Sequence, residues 1–146
     1  MSKNSRTDKI IAAKTHTVTT TVTEEVIETA TYPHTLSSFR WIINYYNGVN
    51  SPAAVYWQLM ILRQGYSAID AIGTDSDWNN AEDIIAYGIL AGAANNATAG
   101  PINSVDQNFT NIKRKMNPGD KLVWLTQSTD ANSGTIRSIW QTFRKS

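Results

Sequence analysis

The sequence predicts an all-β fold, an antiparallel sandwich of seven or eight strands. Apolar and β-branched residues alternate with polar residues at a period of two in several segments, which is typical of strands with one buried face. Turn-forming runs rich in Gly, Pro, Asn and Asp separate these segments, and no segment shows a convincing helical period. With 146 residues, the chain fits one domain that can bury a core of its own.

Residues 1–14 are predicted to form a short, flexible, basic N-terminal arm before a folded domain of residues 15–146. The arm has a single acid, Asp8, against the cations Lys3, Arg6, Lys9 and Lys14. A short helix that begins at Thr7 is an alternative, because Thr caps helices and apolar residues follow it at helical spacing. No signal peptide is predicted, because the start lacks an apolar segment before a cleavage site.

The first half of the domain reads as four strands. "THTVTTTVTEEVIET" has Val18, Val22 and Val26 on one face and predicts a single strand, which ends before Pro33. "LSSFRWIINYYNG" is the second strand, and "AVYWQLMILRQG" is the third. "DIIAYGILAGAA" is apolar on both faces, which favours a central strand. The residues predicted to face the core are Phe39, Trp41, Ile43 and Tyr45 in the second strand, and Val55, Trp57, Leu59 and Ile61 in the third.

The last third reads as three more strands. These are "NFTNIKRKM", "KLVWLTQS" and "TIRSIWQTFRK", and the tight turn "NPGD" joins the first two. The final strand is apolar on both faces, with Ile136 and Trp140 opposite Ile139 and Phe143, and is therefore predicted to be an inner strand. Residues 66–83 and 94–107 are predicted to be loops.

Composition and motifs exclude most catalytic and membrane functions. The net charge is +1 and there is no cysteine, so the folded body offers no global attraction for nucleic acid and no thiolate site. The longest apolar run is shorter than the roughly 20 residues of a membrane span. Neither His16 nor His34 lies in a metal or nucleophile motif, and no phosphate-binding glycine loop is present. We therefore expect a soluble protein that is not an enzyme, with structural or solvent-facing histidines.

One acidic segment, "GTDSDWNNAED", resembles the start of a calcium-binding loop. Asp75, Asp77 and Asn79 stand at the alternating positions of such a loop, but Asn80 replaces its glycine and Ala86 its closing glutamate. The segment is therefore not an EF-hand. Two interpretations remain: a looser calcium site at subunit interfaces that involves Asp75 and Asp77, and an Asx-rich turn.

Two basic sets are predicted to contact nucleic acid. One is the arm, since a flexible cationic segment attracts phosphate backbones without reading bases. The other is "KRK", residues 113–115, where a strand would place Lys113 and Lys115 on one face and Arg114 on the other. The alternative is a solubilising tail and a solvated strand face. The predicted nucleic-acid contacts are Lys3, Arg6, Lys9, Lys14, Lys113 and Lys115.

Taken together, these features resemble the single jelly-roll capsid proteins of very small viruses. The likeness is to coat proteins of small circular Rep-encoding single-stranded DNA viruses, and also to those of satellite plant viruses. The segments that carry it are "TDSDWNNAEDIIAYGIL", "NIKRKMNPGDKLVWLTQS" and "SGTIRSIWQTFRK", and the likeness covers residues 15–146. The arm departs from the family pattern, because capsid arms in these families are often much richer in arginine.

The resemblance implies an eight-stranded jelly roll that self-assembles into an icosahedral shell of about sixty copies around a single-stranded genome. The implied location is the virion, with assembly inside the host cell, for which the nucleus is one option. The charged fraction of 17%, below the usual quarter or so, suits a surface that identical neighbours bury. The sequence does not distinguish DNA from RNA and names no receptor, although residues 66–80 and 94–107 are the natural outer loops.

A second hypothesis is a lectin-like or adhesin β-sandwich that binds sugars through exposed aromatic side chains. The residues that would stack on sugars are Tyr45, Tyr46, Tyr56, Tyr66 and Trp78.

Overall fold

The computed structural model describes residues 7–47, 54–66, 83–90, 102–128 and 134–145, and these form nine β-strands. No helix within these ranges is long and apolar enough to cross a membrane. The strands are β1 (Thr7–Val18), β2 (Thr23–Thr29), β3 (His34–Asn47), β4 (Val55–Leu62), β5 (Ile84–Leu90), β6 (Ile102–Phe109), β7 (Arg114–Met116), β8 (Lys121–Ser128) and β9 (Gly134–Lys145). The prediction of an all-β protein is confirmed.

The strands form two antiparallel sheets. In the five-stranded sheet the order is β1-β9-β3-β6, and β7 also pairs with β3. In the four-stranded sheet the order is β2-β8-β4-β5. All pairings between these strands are antiparallel. As predicted, β9 is an inner strand, since it lies between β1 and β3.

The two sheets share one hydrophobic core. Phe39, Trp41 and Ile43 of β3 are fully buried, and they belong to the same cluster as the inward side chains of β4 and β8. At its centre the rings of Trp41 and Trp57 meet edge-on, with centroids 5.0 Å apart. Trp124 of β8 packs against the same Trp41 ring at 5.9 Å. The period-two pattern of these strands therefore predicted the inner faces correctly.

The opposite face of the four-stranded sheet is also apolar at its centre. Met60 and Leu62 of β4 are buried there beside Val123 and Leu125 of β8. The sequence pattern grouped Met60 with the polar residues of β4, and its burial is therefore a difference from that prediction.

The segment predicted as one Thr-rich strand is divided between the two sheets. β1 ends at Val18 and pairs with β9, whereas β2 begins at Thr23 and pairs with β8. At the break, the Thr19 and Thr21 hydroxyls lie 2.9 Å apart, and the Ser128 N–H donates to the Thr19 carbonyl. The chain therefore changes sheet at a segment without Gly or Pro, where side-chain hydroxyls form the local hydrogen bonds.

The first strand also begins earlier than predicted. β1 starts at Thr7, inside the segment predicted as an arm, and its backbone pairs with β9 from Thr7 opposite Lys145 onward. The helix that the sequence allowed at Thr7 is therefore wrong. Residues 1–6 lie outside the described ranges.

Two further predictions are corrected by the sheet order. β5 was expected to be central, but it pairs only with β4 among the described strands and lies at the edge of its sheet. Its outward side chains Tyr87 and Ile89 are 69% and 60% exposed. Residues 102–107 were expected to belong to a loop, but they form β6, because pairing with β3 outweighs their Asn, Asp and Ser content.

Candidate nucleic-acid interface

The basic "KRK" segment lies next to a large bulge at the edge of the five-stranded sheet. β6 and β7 follow one another along the same edge of β3, and pairing stops at Phe109 opposite Phe39 and resumes at Arg114 opposite Leu36. Residues 110–113 therefore stand opposite only Ser37 and Ser38. Bulges of this kind redirect side chains and are frequent beside functional sites. We call residues 110–113 the edge bulge.

Backbone contacts fix the shape of the edge bulge. The Ile112 N–H donates to the Ser37 carbonyl at 3.1 Å. Asn111 and Lys113 have φ values of 57° and 51°, the left-handed region that non-glycine residues rarely adopt. Asn adopts this region more readily than most residues, so the backbone strain lies mainly at Lys113, where the surrounding pairing must hold it.

Arg114 and Lys115 extend from opposite faces of the sheet, and Lys113 lies outside the strand. Arg114 stands opposite Leu36, which is fully buried in the shared core, so its side chain extends from the inner face of the sheet and is only partly exposed. Lys115 stands opposite Thr35 and is exposed on the other face. Lys113 is exposed but precedes β7 and has a left-handed backbone, so the prediction of a continuous strand that places Lys113 and Lys115 on one face is wrong.

A cavity of about 370 Å³ opens beside the edge bulge, where β5 and β6 form neighbouring edges of the two sheets. Its apolar wall includes Ile85 from the four-stranded sheet and Phe109 from the five-stranded sheet. Its polar lining includes Arg114, whose side chain lies on the inner face of the five-stranded sheet. The described lining residues are Ile85, Asn108, Phe109, Thr110, Asn111, Ile112 and Arg114. We call this cavity the edge cleft.

An ion network holds β7 from the other side. The Arg63 guanidinium donates through Nη1 to the Lys115 carbonyl at 2.7 Å and to Asp120 Oδ2 at 2.8 Å. Its Nε and Nη2 both reach Asp83 Oδ1, at 3.0 and 2.9 Å. Arg63 therefore ties together the end of β4, the start of β5 and the β7–β8 turn, and it positions the backbone of the basic segment.

Asp120 is the most highly coordinated carboxylate of this network. Besides Arg63, it accepts the backbone N–H of Asn117 at 2.9 Å and of Gln64 at 3.0 Å. Burial alone would raise the pKa of this carboxyl, but the hydrogen bonds from Asn117, Arg63 and Gln64 outweigh burial and lower it. Burial alone would lower the pKa of Arg63, but the hydrogen bonds to Asp120 and Asp83 outweigh burial and raise it. Both shifts in pKa keep Arg63 and Asp120 charged near neutral pH. The predicted tight turn is confirmed here, with the Asp120 N–H donating to the Asn117 carbonyl at 3.0 Å.

The structure does not gather the predicted basic residues into one patch. Lys14 is exposed on β1, whereas Lys113 and Lys115 lie at the opposite edge of the same sheet, with β9 and β3 between them. Lys9 is placed on β1 opposite Phe143 by the backbone register. Lys3 and Arg6 lie outside the described residues.

The calcium prediction also falls mainly outside the described residues, because Asp75 and Asp77 belong to residues 67–82. Ala86, which would occupy the closing position of such a loop, lies in β5 opposite Leu59. Among the residues that the structure describes, no group of three or more His, Asp or Glu side chains could hold a metal ion.

His34 is buried between the sheets rather than facing solvent. Its Nε2 lies 3.0 Å from Glu28 Oε1, and its Nδ1 lies 3.0 Å from the Tyr32 carbonyl. Both side chains are almost fully buried. This pair connects the end of β2 to the start of β3, which fits the structural role expected of this histidine.

Sequence reasoning missed several side chains that form the site. Arg63, Asp83 and Asp120 are separated by 20 and 57 positions, and no local pattern joins them. Phe109 and Asn111 were placed on a continuous strand, and only the register with β3 reveals the edge bulge. A partial signal was available, since the run "NFTNIK" is interrupted by polar residues in a segment otherwise expected to alternate.

Comparison with known proteins gives a faint likeness only. No protein-family model matches the chain, and no curated protein matches it. Among solved structures, it is similar to a crystal structure of the T13 IBDV viral particle, with 12% identity and a TM-score of 0.35, over 89% of this chain and 31% of that one. It is also similar to a structure of the infectious bursal disease virus Gt strain, with 8% identity and a TM-score of 0.33, over 98% of this chain and 38% of that one. The chain thus spans about a third of the length of each, and TM-scores this low carry no argument about its function.

Proposed function

We propose that this chain is a viral coat protein with jelly-roll connectivity, a structural protein without catalytic activity. The observation that carries the proposal is the strand order. Successive strands from the first half pair with strands from the second half in reverse order: β1 with β9, β2 with β8, β3 with β6 and β7, and β4 with β5. β6 and β7 pair with successive parts of the same edge of β3. The nine strands therefore occupy eight strand positions, four in each sheet. Double-sheet jelly rolls of eight strands are characteristic of viral capsid and lectin domains.

The exposed edge of the four-stranded sheet favours the coat protein over a solitary domain. β5 carries no charged residue and no proline, and its Tyr87 and Ile89 face outward. β5 has a register shift against β4 near its start, between Leu59 and Met60, but proteins that remain monomeric usually also protect such edges with charges or proline. An uncharged, apolar edge strand is suited to burial against another copy of the chain.

On this proposal, copies close into an icosahedral shell of about sixty subunits, the simplest such shell for one small domain. The subunit is then located in the virion and is assembled inside the host cell. The shell encloses single-stranded nucleic acid through contacts with phosphates that do not depend on sequence. The exposed cations Lys14, Lys113 and Lys115 are available for such contacts, together with Lys3, Arg6 and Lys9 of the N-terminal segment.

Size-exclusion chromatography and negative-stain electron microscopy of the purified protein test this proposal. With a subunit of 16.2 kDa, a shell of about sixty copies should elute near 1 MDa and appear as uniform, round particles. A monomer at near-neutral pH and moderate salt, with no particles on the grid, would contradict the proposal.

A sugar-binding sandwich is the second candidate, and the exposed tyrosines favour it. Tyr56 and Tyr66, both predicted to stack on sugars, are 40% and 61% exposed. The side chains of Tyr45 and Tyr46 and the whole of Trp78 lie outside the part of the chain that can be described. A clear hit on a glycan array from a monomeric sample, lost on Tyr56→Ala, would support this candidate over the coat protein.

A further inference from the structure

We propose that the edge cleft binds a nucleotide unit of single-stranded nucleic acid, with the base against Phe109 and the phosphate on Arg114. The proposal rests on the proposed coat-protein function for the identity of the ligand. It adds a defined binding site, whereas the basic arm alone would offer only diffuse attraction.

The volume and lining of the edge cleft suit a small, partly apolar group. Its volume of about 370 Å³ lies at the lower end of the range for small-molecule sites, roughly 300–1,000 Å³. Ile85, Phe109 and Ile112 supply an apolar wall from both sheets, and all three pack against the shared core. A base inserted here would be in contact with side chains that are already fixed.

Phe109 is suited to stack on a base because its ring packs against Trp41 and Trp57 of the core. Its ring stacks at 20° on Trp41, with centroids 6.5 Å apart, and lies 6.4 Å from Trp57. The side chain is nevertheless partly exposed at the edge cleft. Stacking on an aromatic ring tolerates any base, which is what a coat protein requires of its genome contacts.

Arg114 provides the charge. It lines the edge cleft and is only partly exposed, yet none of the ion pairs found within the described ranges involves it. By contrast, Arg40 is paired with Asp106, and Arg63 with Asp83 and Asp120. A phosphate beside Arg114 would supply the anion that the described carboxylates do not, and Arg is well suited to bind phosphate through two parallel bonds.

The edge bulge brings further polar groups to the same place. Asn111 of the edge bulge also lines the cleft, and its amide can hydrogen-bond to base edges or sugar hydroxyls. The exposed cation Lys113 directly precedes Arg114 along the chain, so that a neighbouring phosphate of the same strand would also meet positive charge. The strained backbone at Lys113 is explained if this geometry serves a ligand.

Binding of labelled oligonucleotides tests the site directly. The probes are fluorescein-labelled single strands of about ten nucleotides, one of deoxythymidine and one of uridine, followed by anisotropy over a range of salt concentrations. Arg114→Gln removes the phosphate contact and Phe109→Leu removes the ring but keeps an apolar side chain. Lys121→Gln is the matched control, because it removes one positive charge from β8, outside the edge cleft.

We expect Arg114→Gln and Phe109→Leu each to weaken binding at least about fivefold. Arg114→Gln should also lower the slope of log affinity against log salt by nearly one, whereas Phe109→Leu should leave that slope unchanged. Lys121→Gln should change affinity much less than either. If Arg114→Gln binds as Lys121→Gln does, and Phe109→Leu binds as the wild type does, the proposal is wrong.

Cross-linking of the wild-type protein avoids any dependence on how the variants fold. Ultraviolet cross-linking to the same probes, followed by peptide mass spectrometry, should place adducts on Phe109 or within residues 108–114. Adducts confined to residues 1–14 would overturn the proposal. Electron microscopy separates the two hypotheses: a cross-linked edge cleft in a protein that forms no particles rejects the coat function alone, and particles whose nucleic acid cross-links only to the arm reject the edge cleft alone.

Discussion

At the scale of single residues, Asp120 is the side chain that connects the β7–β8 turn to the end of β4. It is almost fully buried and accepts three hydrogen bonds, one of them from the Arg63 guanidinium. Asp120→Asn would remove the charge and place an amide against backbone donors. We expect a loss of about 2–3 kcal/mol in the free energy of unfolding, measured by urea denaturation with tryptophan fluorescence.

The pH dependence of this effect has a defined sign. The pKa of Asp120 is lowered on folding, so its carboxylate stabilises the fold above the usual aspartate pKa of about 3.9 and loses that effect as the pH falls through the lower folded-state value. The difference between wild type and Asp120→Asn should therefore shrink below about pH 4. The matched control is Asp106→Asn, where the lost carboxylate is exposed and paired with Arg40 at 2.6 Å. A cost as large for Asp106→Asn as for Asp120→Asn would contradict this account.

At the scale of elements, β5 is constrained on its inner face by a single glycine. A Cβ on Gly88 would lie 2.9 Å from Cζ2 and 3.0 Å from Nε1 of Trp57, whose indole is buried in the core. Gly88→Ala should therefore destabilise the protein by about 1–3 kcal/mol in urea denaturation. In a Trp57→Phe background the smaller ring should reduce that cost. An equal cost in both backgrounds would show that the indole is not the obstacle.

The outer face of β5 gives a prediction about assembly. Ile89→Lys places a charge on an exposed, uncharged edge strand, the means by which monomeric proteins prevent edge contacts. We expect the variant to keep a thermal midpoint close to that of the wild type but to fail to form particles by size-exclusion chromatography and electron microscopy. Thr29→Lys is the control, since Thr29 is exposed on β2 at the other edge of the same sheet. Normal particles from Ile89→Lys would mean that this edge is not a subunit contact.

The elements also show which features the sequence could predict. Inner faces were predictable wherever one residue in two is large and apolar, as at Phe39, Trp41 and Ile43, because burial imposes that period directly. The break between β1 and β2 was not predictable, because Thr19 and Thr21, with their hydroxyls in contact, stand where Gly or Pro would indicate a turn. The position of β5 was misread because an apolar pattern on both faces does not distinguish a central strand from an edge that another molecule covers.

The candidate site was predictable only in its charges. The run of cations at residues 113–115 is visible in the sequence, and so is their approximate place on a strand. The edge bulge depends on register against β3, about seventy positions earlier, where residues 110–113 stand opposite Ser37 and Ser38. Local pattern contains no information about such a register. Alternation predicted Arg114 and Lys115 on opposite faces, as the structure has them, but it did not indicate that Arg114 takes the inner face.

At the scale of the whole molecule, the reverse-order pairing makes both ends of the described chain part of one sheet. β1 lies along β9 from Thr7 opposite Lys145 to Val18 opposite Gly134. The predicted boundary after residue 14 implied an N-terminal arm independent of the domain. The pairing with β9 shows instead that Thr7–Lys14 belong to the domain. Two deletions should have different effects: one removes residues before β1, and the other removes most of β1 itself.

Deleting residues 1–6 should leave the fold and particle assembly intact, because β1 keeps its whole pairing with β9. The particles should contain less nucleic acid, seen as a lower ratio of nucleic-acid to protein absorbance, because Lys3 and Arg6 are lost. The full-length double substitution Lys3→Gln with Arg6→Gln is the matched control, and the same decrease there would assign the effect to charge rather than length.

Deleting residues 1–14 should instead lower the thermal midpoint and the yield of particles, because it exposes the backbone of β9 along most of its length. Particles of normal yield and stability from this longer deletion would show that the pairing of Thr7–Lys14 with β9 does not support the shell.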